Sequence, residues 1–370
     1  MMALLVSDSL RPHVPLASLT TLGVGGEARY FLDAGTEEQV DAALDWANKR
    51  GLSVTLLGGG SNVLVSDRGV DGLVVRVRVR GIRERDFPGD ATKVICEAGA
   101  GEELDRVIVH TIEAGYGGLE CLSGIPGYVG ATPIQNVGAY GQEIADSVVA
   151  VRVMDRATRK VEVFDNAACR FGYRNSAFKG EKRDRYVVLT VTLALTPNGS
   201  PRVHYPEIVR ELALRGGDPS SLADVRSVVL AVRRSKSMVI DPADPNRRSV
   251  GSFFVNPMVT PEQADDIEQR ARAAAFEAQP MPRFPVGERV KLSAAWLIER
   301  AGFVKGTTDG RVGLSTRHAL AIVNRGEATA AEVLTFARRV RDAVLARFGV
   351  ALAAEPVLIG FSEEETAALR

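Results

Sequence analysis

Residues 249–257 read SVGSFFVNP, and Ser252 is the side chain there that could do chemistry. It stands beside Gly251 and ahead of Phe253 and Phe254, with Asn256 and Pro257 closing the run. Two adjacent phenylalanines do not suit an exposed loop. A small hydroxyl between a flexible glycine and bulky apolar anchors would be positioned and dehydrated, and a held hydroxyl can pass a proton to a substrate. The same pattern fits a buried strand with a glycine for close packing. The segment by itself leaves both open.

Other stretches could receive a phosphate. Residues 23–28 match GxGxxA, but no strand signal precedes them and no helix signal opens from them. Gly99 and Gly101 follow a strand pattern, yet Leu104 stands where a third Gly or Ala belongs. Gly58, Gly59, Gly60, Ser61 and Asn62 also follow a strand pattern. Their successive amides and short polar side chains could form an anion nest, although a plain glycine turn reads the same. Residues 117–141, GGLECLSGIPGYVGATPIQNVGAYG, show no clear period but keep Ile, Val, Leu and Tyr. That composition predicts ordered chain wrapped around a ligand. The two segments together offer many backbone donors and few charges, which suits a dinucleotide held by main chain. No GxxxxGK[ST] occurs, which argues against an ATP-driven reaction. Arg233, Arg234 and Lys236 fit either a site for a small anion or a solvated basic helix end.

The elements that would position these residues alternate at first. Thr36 with Gln39 opens a helix that stops at Gly51, followed by strands at 54–57 and 73–79. A helix is expected over 102–114, strands over 148–154, 161–164 and 186–194, and a helix over 221–235. A polar, Pro-containing connector after Asp241 places a boundary near residue 237. Thr260-Pro261-Glu262-Gln263 and Thr329 with Glu332 are helix starts, the second helix ending at Gly349. Residues 356–361 read as a strand that returns to the middle of the chain. Trp296 lies on an apolar helix face and reads as core.

A chain of 370 residues, 45% hydrophobic and 25% charged, can build two or three domains with a sizeable core. The 46 basic and 46 acidic residues balance, so no general field favours nucleic acid or an anionic membrane. The three cysteines, Cys96, Cys121 and Cys169, form no CxxC pair and fit a reducing compartment. The four histidines show no metal-binding spacing, so no metal is expected. No apolar run reaches membrane-spanning length.

Side by side, these segments resemble the UDP-N-acetylenolpyruvoylglucosamine reductase family. The matching blocks are LGGGSNVLV (57–65), SGIPGYVGATPIQNVGAYG (123–141), CRFGYRNSAFK (169–179), GSFFVNP (251–257) and AEPVLIG (354–360), in the family's order. Tyr205 in VHYPEI is similar to the mobile Tyr-bearing element of the family's type I branch. The resemblance implies an α+β protein. An FAD-binding fold of the vanillyl-alcohol-oxidase type would span two subdomains, 1–82 and 83–236, with the terminal strand of 350–370 returning to the second. A separate α+β substrate-binding domain would cover 237–349.

The reaction implied is NADPH-dependent reduction of UDP-N-acetylglucosamine enolpyruvate to UDP-N-acetylmuramate through FAD, in peptidoglycan precursor synthesis. Cell-wall biogenesis, cell shape and cell division follow from that role. Negative charge builds on the substrate as an enolate, and a fixed Arg meets such charge well. By resemblance, Arg174 stabilises the enolate, Ser252 donates the proton, and Glu355 is the family's acid near the C-terminus. The family often writes Leu-Glu-Pro-Glu there. This chain has Leu352-Ala353-Ala354-Glu355-Pro356, and counting back from Ile359 puts Glu355 on the catalytic position. A surface Glu near a strand start is the alternative.

The FAD seat would comprise Gly58, Gly59, Gly60, Ser61, Asn62, Gly124, Ile125, Pro126, Ala131, Thr132, Ile134, Gly138 and Gly141. Tyr205, Lys236, Asn256, Lys291 and His318 would meet substrate. His318 beside ALAIV also reads as a packed core residue, and Arg170 and Tyr173 as packing around Arg174. No second dinucleotide fold is visible for NADPH, which implies that NADPH and the sugar nucleotide take turns over the flavin, with ping-pong kinetics. A cytoplasmic monomer without nucleic-acid or membrane partners is expected. Two rivals stay open: an oxidase of small alcohols or sugars on the same FAD fold, and a non-catalytic sugar-nucleotide binder.

Overall fold

The computed structural model describes residues 9–273 and 280–369. The chain divides into two compact units, one from residues 1–14, 28–60 and 71–240 and the other from 15–27, 61–70 and 241–370.

The first unit holds two sheets. In the smaller, the strands run in the order Arg11–Pro15, Glu27–Ala34, Val70–Val77, Val54–Leu57. The last two are parallel, with Val54 opposite Leu73. The intervening helix Glu37–Asn48 begins at Thr36, whose hydroxyl accepts the Gln39 N–H at 3.3 Å, and it buries Val40, Ala43, Leu44 and Ala47. These are the i, i+3, i+4, i+7 positions of one helical face. The larger sheet is antiparallel, in the order Val161–Asp165, Val148–Asp155, Tyr186–Pro197, Val94–Gly99, Ile82–Asp86. Leu32, Leu73 and Val75 from one sheet and Val151, Val191 and Cys96 from the other fall in one buried cluster. Helix Leu104–Glu113 adds Val107 and Ile108 to it.

Several element boundaries differ from the sequence reading; the third strand of the larger sheet, for one, runs Tyr186–Pro197 where 186–194 is expected. The strand expected over 73–79 is Val70–Val77. The helix expected from 102 starts at Leu104, because the buried Glu102 carboxylate accepts the Gly81 N–H at 2.8 Å and Glu103 is extended.

The second unit has two three-stranded antiparallel sheets. One is ordered Met258–Val259, Arg289–Leu292, Arg283–Val286, and the other Thr308–Asp309, Val312–Leu314, Ile322–Asn324. Helix Pro261–Ala273 starts with a reciprocal cap: Thr260 Oγ1 accepts the Gln263 N–H at 3.2 Å and Gln263 Oε1 accepts the Thr260 N–H at 3.0 Å. Helix Ala330–Phe348 has a capping box of Thr329 with Glu332 and ends at Gly349, whose φ is 73°. It packs Phe336 and Phe348 into a core with Phe253, Phe254, Leu297 and Leu22. Trp296 is buried there, its ring 5.9 Å from that of Phe348.

The terminal strand Val357–Ile359 does not pair with a strand of 83–236. It runs parallel to Val63–Val65, with Leu358 opposite Leu64. Burial explains the choice. Leu64 is fully buried, and Leu358 packs against the same cluster. Among the described residues, no helix is long and apolar enough to cross a membrane.

Candidate active site

In the first unit, Arg174 is fixed by the wrapping loop. Its Nη2 donates to the Gly138 carbonyl at 2.7 Å and its Nη1 to the Asn136 carbonyl at 3.4 Å. Its backbone sits at φ 51°, a region most side chains avoid. Lys179 Nζ donates to the Arg174 carbonyl at 3.1 Å, and the guanidinium lies 5.4 Å from the Tyr173 ring. Tyr173 therefore packs, and Arg170 pairs with Glu181 at 2.6 Å.

The two glycine segments meet. A Cβ on Gly59 would lie 2.8 Å from the Gly127 Cα, and one on Gly58 would lie 3.7 Å from the Ala131 Cβ. Gly60 takes φ 68°. Among the described residues, the amides of Gly59 and Gly60 donate to no protein acceptor. Such unspent donors in a turn packed against a second glycine segment fit the pyrophosphate of a dinucleotide. Ile125 and Pro126 lead into Gly127. Thr132 is buried, its hydroxyl donating to the Val129 carbonyl at 2.8 Å. The Ile134 carbonyl accepts from Ser176 Oγ at 2.6 Å, and Gly141 closes the loop at φ 83°.

Gly124 has φ 74° and donates its N–H to Asp105 Oδ1 at 2.6 Å. Arg226 holds the same carboxylate through both terminal nitrogens, at 2.7 and 2.8 Å. Burial pushes the Asp105 carboxyl up, but the Arg226 guanidinium and the Gly124 N–H outweigh it and leave it below the ordinary range.

Tyr205 precedes helix Pro206–Arg215 and packs edge-on against Tyr140, with ring centroids 5.5 Å apart. Burial pushes the Tyr140 phenol up to about 12 and raises Tyr205 in the same direction, so both stay protonated at neutral pH. Lys236 Nζ lies 5.6 Å from the Tyr140 ring and pairs with Glu207 at 2.5 Å. Of the basic run, Arg233 donates to the Met238 carbonyl at 2.6 Å, beyond the helix, and its burial departs from a solvated helix end. Arg234 is exposed.

In the second unit, Ser252 and Glu355 are neighbours by backbone pairing. The Phe253 N–H donates to the Leu320 carbonyl at 2.8 Å, and the Glu355 N–H donates to the Phe253 carbonyl at 2.9 Å. Phe254 bridges Ala354. Phe253 and Phe254 are buried, which anchors the partly exposed Ser252 beside them. The segment makes isolated bridges rather than a strand, and Ser252 beside the buried phenylalanines stays partly exposed. Asn62 Nδ2 reaches the Glu355 carbonyl at 3.4 Å, and the Val357 N–H donates to the Asn62 carbonyl at 3.0 Å.

Asn256 Oδ1 accepts the Ala294 N–H at 2.9 Å at the start of helix Ala294–Arg300. Lys291 sits opposite Met258 in the sheet, with Nζ 5.7 Å from the Phe284 ring. His318 Nδ1 accepts the Leu320 N–H at 3.3 Å, two residues from the partner of Phe253.

Sequence reasoning missed Asp105, Arg226, Asn136 and Thr21. Asp105 looked like one more residue of a helix. Asn136 is a hub: it donates to Glu143 at 2.6 Å and to the Gly172 carbonyl at 3.1 Å, and accepts from Ala145 at 3.2 Å. A lone Asn inside an Ile- and Val-rich loop was its only signal. The three cysteines are free and buried, and burial pushes each thiol up to about 12. No group of metal-ligating side chains occurs among the described residues.

The model of an FAD binding domain matches residues 28–163, and that of the C-terminal domain of UDP-N-acetylenolpyruvoylglucosamine reductase matches residues 242–359. The chain is 46% identical to the UDP-N-acetylenolpyruvoylglucosamine reductase of Thermobifida fusca, over 96% of this chain and 99% of that protein. It is 47% identical to that of Mycobacterium tuberculosis, covering 94% of each. The solved structure of the reductase from Thermus caldophilus superposes with a TM-score of 0.64 at 27% identity, over 95% of this chain and 99% of that one. Residues 58–62 and 124–141 lie inside the FAD match, and the Ser252 and Glu355 segments lie inside the second. The chain belongs to the UDP-N-acetylenolpyruvoylglucosamine reductase family of FAD-dependent oxidoreductases.

Proposed function

We propose that in the NADPH-dependent reduction of UDP-N-acetylglucosamine enolpyruvate to UDP-N-acetylmuramate, Arg174 holds the enolate, Ser252 protonates it, and Glu355 supports that transfer. The turn at 58–62 and the loop at 124–141 would hold FAD, which would supply the hydride-transfer chemistry between NADPH and the methylene carbon. Arg174 is anchored through Gly138, so its guanidinium needs no reorganisation as charge develops. The Ser252 hydroxyl gives its proton to the carbon next to the carboxylate and recovers one from solvent. A serine is a weak acid, so nearby cations and backbone donors must lower the cost of the transient alkoxide.

The observation that carries the reading is the Glu355 N–H to Phe253 carbonyl bond at 2.9 Å, which holds the acid beside the proton donor. Tyr205, Lys236, Asn256, Lys291 and His318 are assigned to the sugar nucleotide, with Lys236 exchanging Glu207 for a phosphate. Residues 237–349 form the substrate lobe, and the protein works as a cytoplasmic monomer. An oxidase would share the FAD segments but has no use for the reductase C-terminal match over 242–359. The test is anaerobic: NADPH bleaches the flavin of the purified protein, and the enolpyruvyl sugar nucleotide then restores its colour. Reoxidation by oxygen alone, with no response to the sugar nucleotide, would contradict the proposal.

A further inference from the structure

Thr21 lies far in sequence from every residue assigned above, yet its hydroxyl touches two of their segments. Oγ1 donates to the Ser249 carbonyl at 2.6 Å and lies 3.4 Å from the Ser61 carbonyl. Ser249 is itself buried, and its hydroxyl accepts the Gly251 N–H at 3.3 Å. Gly251 takes φ 75°, turning the chain sharply into Ser252. Ser61 belongs to the glycine turn that receives the flavin. Leu22, next to Thr21, is fully buried in the cluster that holds Phe253 and Phe254. Asn324 fixes the segment from its other side, donating to the Leu22 carbonyl at 3.0 Å, while its N–H bonds the Arg248 carbonyl at 2.9 Å.

We propose that Thr21 is a positioning residue for proton transfer: it ties the Ser249–Gly251 turn, and so the Ser252 hydroxyl, to the Ser61 turn of the flavin seat. The inference rests on Ser252 being the proton donor. A hydroxyl carries one proton, so the 2.6 Å bond to Ser249 takes it, and the Ser61 contact is the weaker, adjusting one. Without the hydroxyl, the Ser249 carbonyl loses its donor and the turn gains freedom. Small displacements of a reacting group are costly to rate. The reduction step does not use Ser252 and should not respond.

The experiment uses the holoenzyme in four forms: Thr21→Ala, Thr21→Ser, Ser252→Ala and Thr21→Ala with Ser252→Ala. Thr21→Ala should reoxidise with sugar nucleotide about tenfold more slowly, the equivalent of one hydrogen bond, while NADPH reduction keeps its rate. Thr21→Ser restores reoxidation. The double variant is no slower than Ser252→Ala, because both changes act on one group. Amide exchange over 249–253 speeds up in Thr21→Ala and returns to normal in Thr21→Ser. Should Thr21→Ala fail to hold flavin, Thr21→Val keeps the volume and carries the same expectations. Equal slowing of both half-reactions, or additive losses in the double variant, would overturn the positioning role. Normal reoxidation by Ser252→Ala would instead remove the proton-donor reading, and this inference with it.

Discussion

Glu355 donates its backbone N–H to the Phe253 carbonyl at 2.9 Å, so residues about a hundred positions apart are held one peptide away from Ser252. The bond uses backbone only, so it does not depend on the Glu355 side chain. Glu355→Gln should therefore keep the fold and the flavin. Reoxidation by substrate should fall by roughly 100- to 10,000-fold, the range for a lost acid or base. Stopped-flow absorbance checks both halves, and an unchanged reoxidation rate would remove Glu355 from the mechanism.

Arg174→Lys tests the cation. Arg174 spends one terminal nitrogen on Gly138 at 2.7 Å and reaches Asn136 with the other. A lysine has a single head and cannot keep that anchor while facing a substrate. Reoxidation should slow by about 100- to 1,000-fold, as when one stabilising donor is removed. NADPH reduction should be little changed.

Gly59→Ala would place a methyl 2.8 Å from the Gly127 Cα, where backbone must move. The expected cost is about 1–3 kcal/mol of stability, typical of overpacking, with weaker flavin retention. Gly172→Ala is the control, since a Cβ there meets nothing within 4 Å; its effect should stay within about 0.5 kcal/mol. Thermal unfolding and the visible spectrum after desalting measure both.

Asp155 gives a pH prediction. It is buried and held down to about 2, first by the Thr158 N–H and then by Arg185, against the opposing effect of burial. A depressed carboxyl stabilises the fold fully above its unfolded value near ~3.9 and loses that contribution as pH falls from there toward the folded value. Asp155→Ala leaves the Ala157 and Thr158 N–H groups without their 2.9 Å acceptor. It should cost about 1–3 kcal/mol at neutral pH. Its acid unfolding should show a shallower pH dependence between about pH 4 and 2.

The family was legible because its blocks are long and chemically unusual, and the helix starts were legible because a cap is local. Thr329 with Glu332 forms the full capping box, whereas Thr36 caps the Gln39 N–H and Gln39 Oε1 accepts the Gly35 N–H at 2.7 Å instead of closing the box. Partners far apart in sequence were not. Nothing in AEPVLIG says that Val357–Ile359 will lie against Val63–Val65. The strand Glu27–Ala34 was hidden because both of its faces are partly covered, which blurs the alternation. Thr21 and Asp105 stayed invisible for the same reason as the terminal pairing: each acts on carbonyls or amides that only the fold brings near.

The central claim is that a held serine hydroxyl delivers the proton. The direct measurement is single-turnover reoxidation of NADPH-reduced Ser252→Ala by the enolpyruvyl sugar nucleotide under anaerobic conditions. The account predicts normal bleaching by NADPH and reoxidation slower by roughly 100- to 10,000-fold. Reoxidation at the parent rate would contradict it.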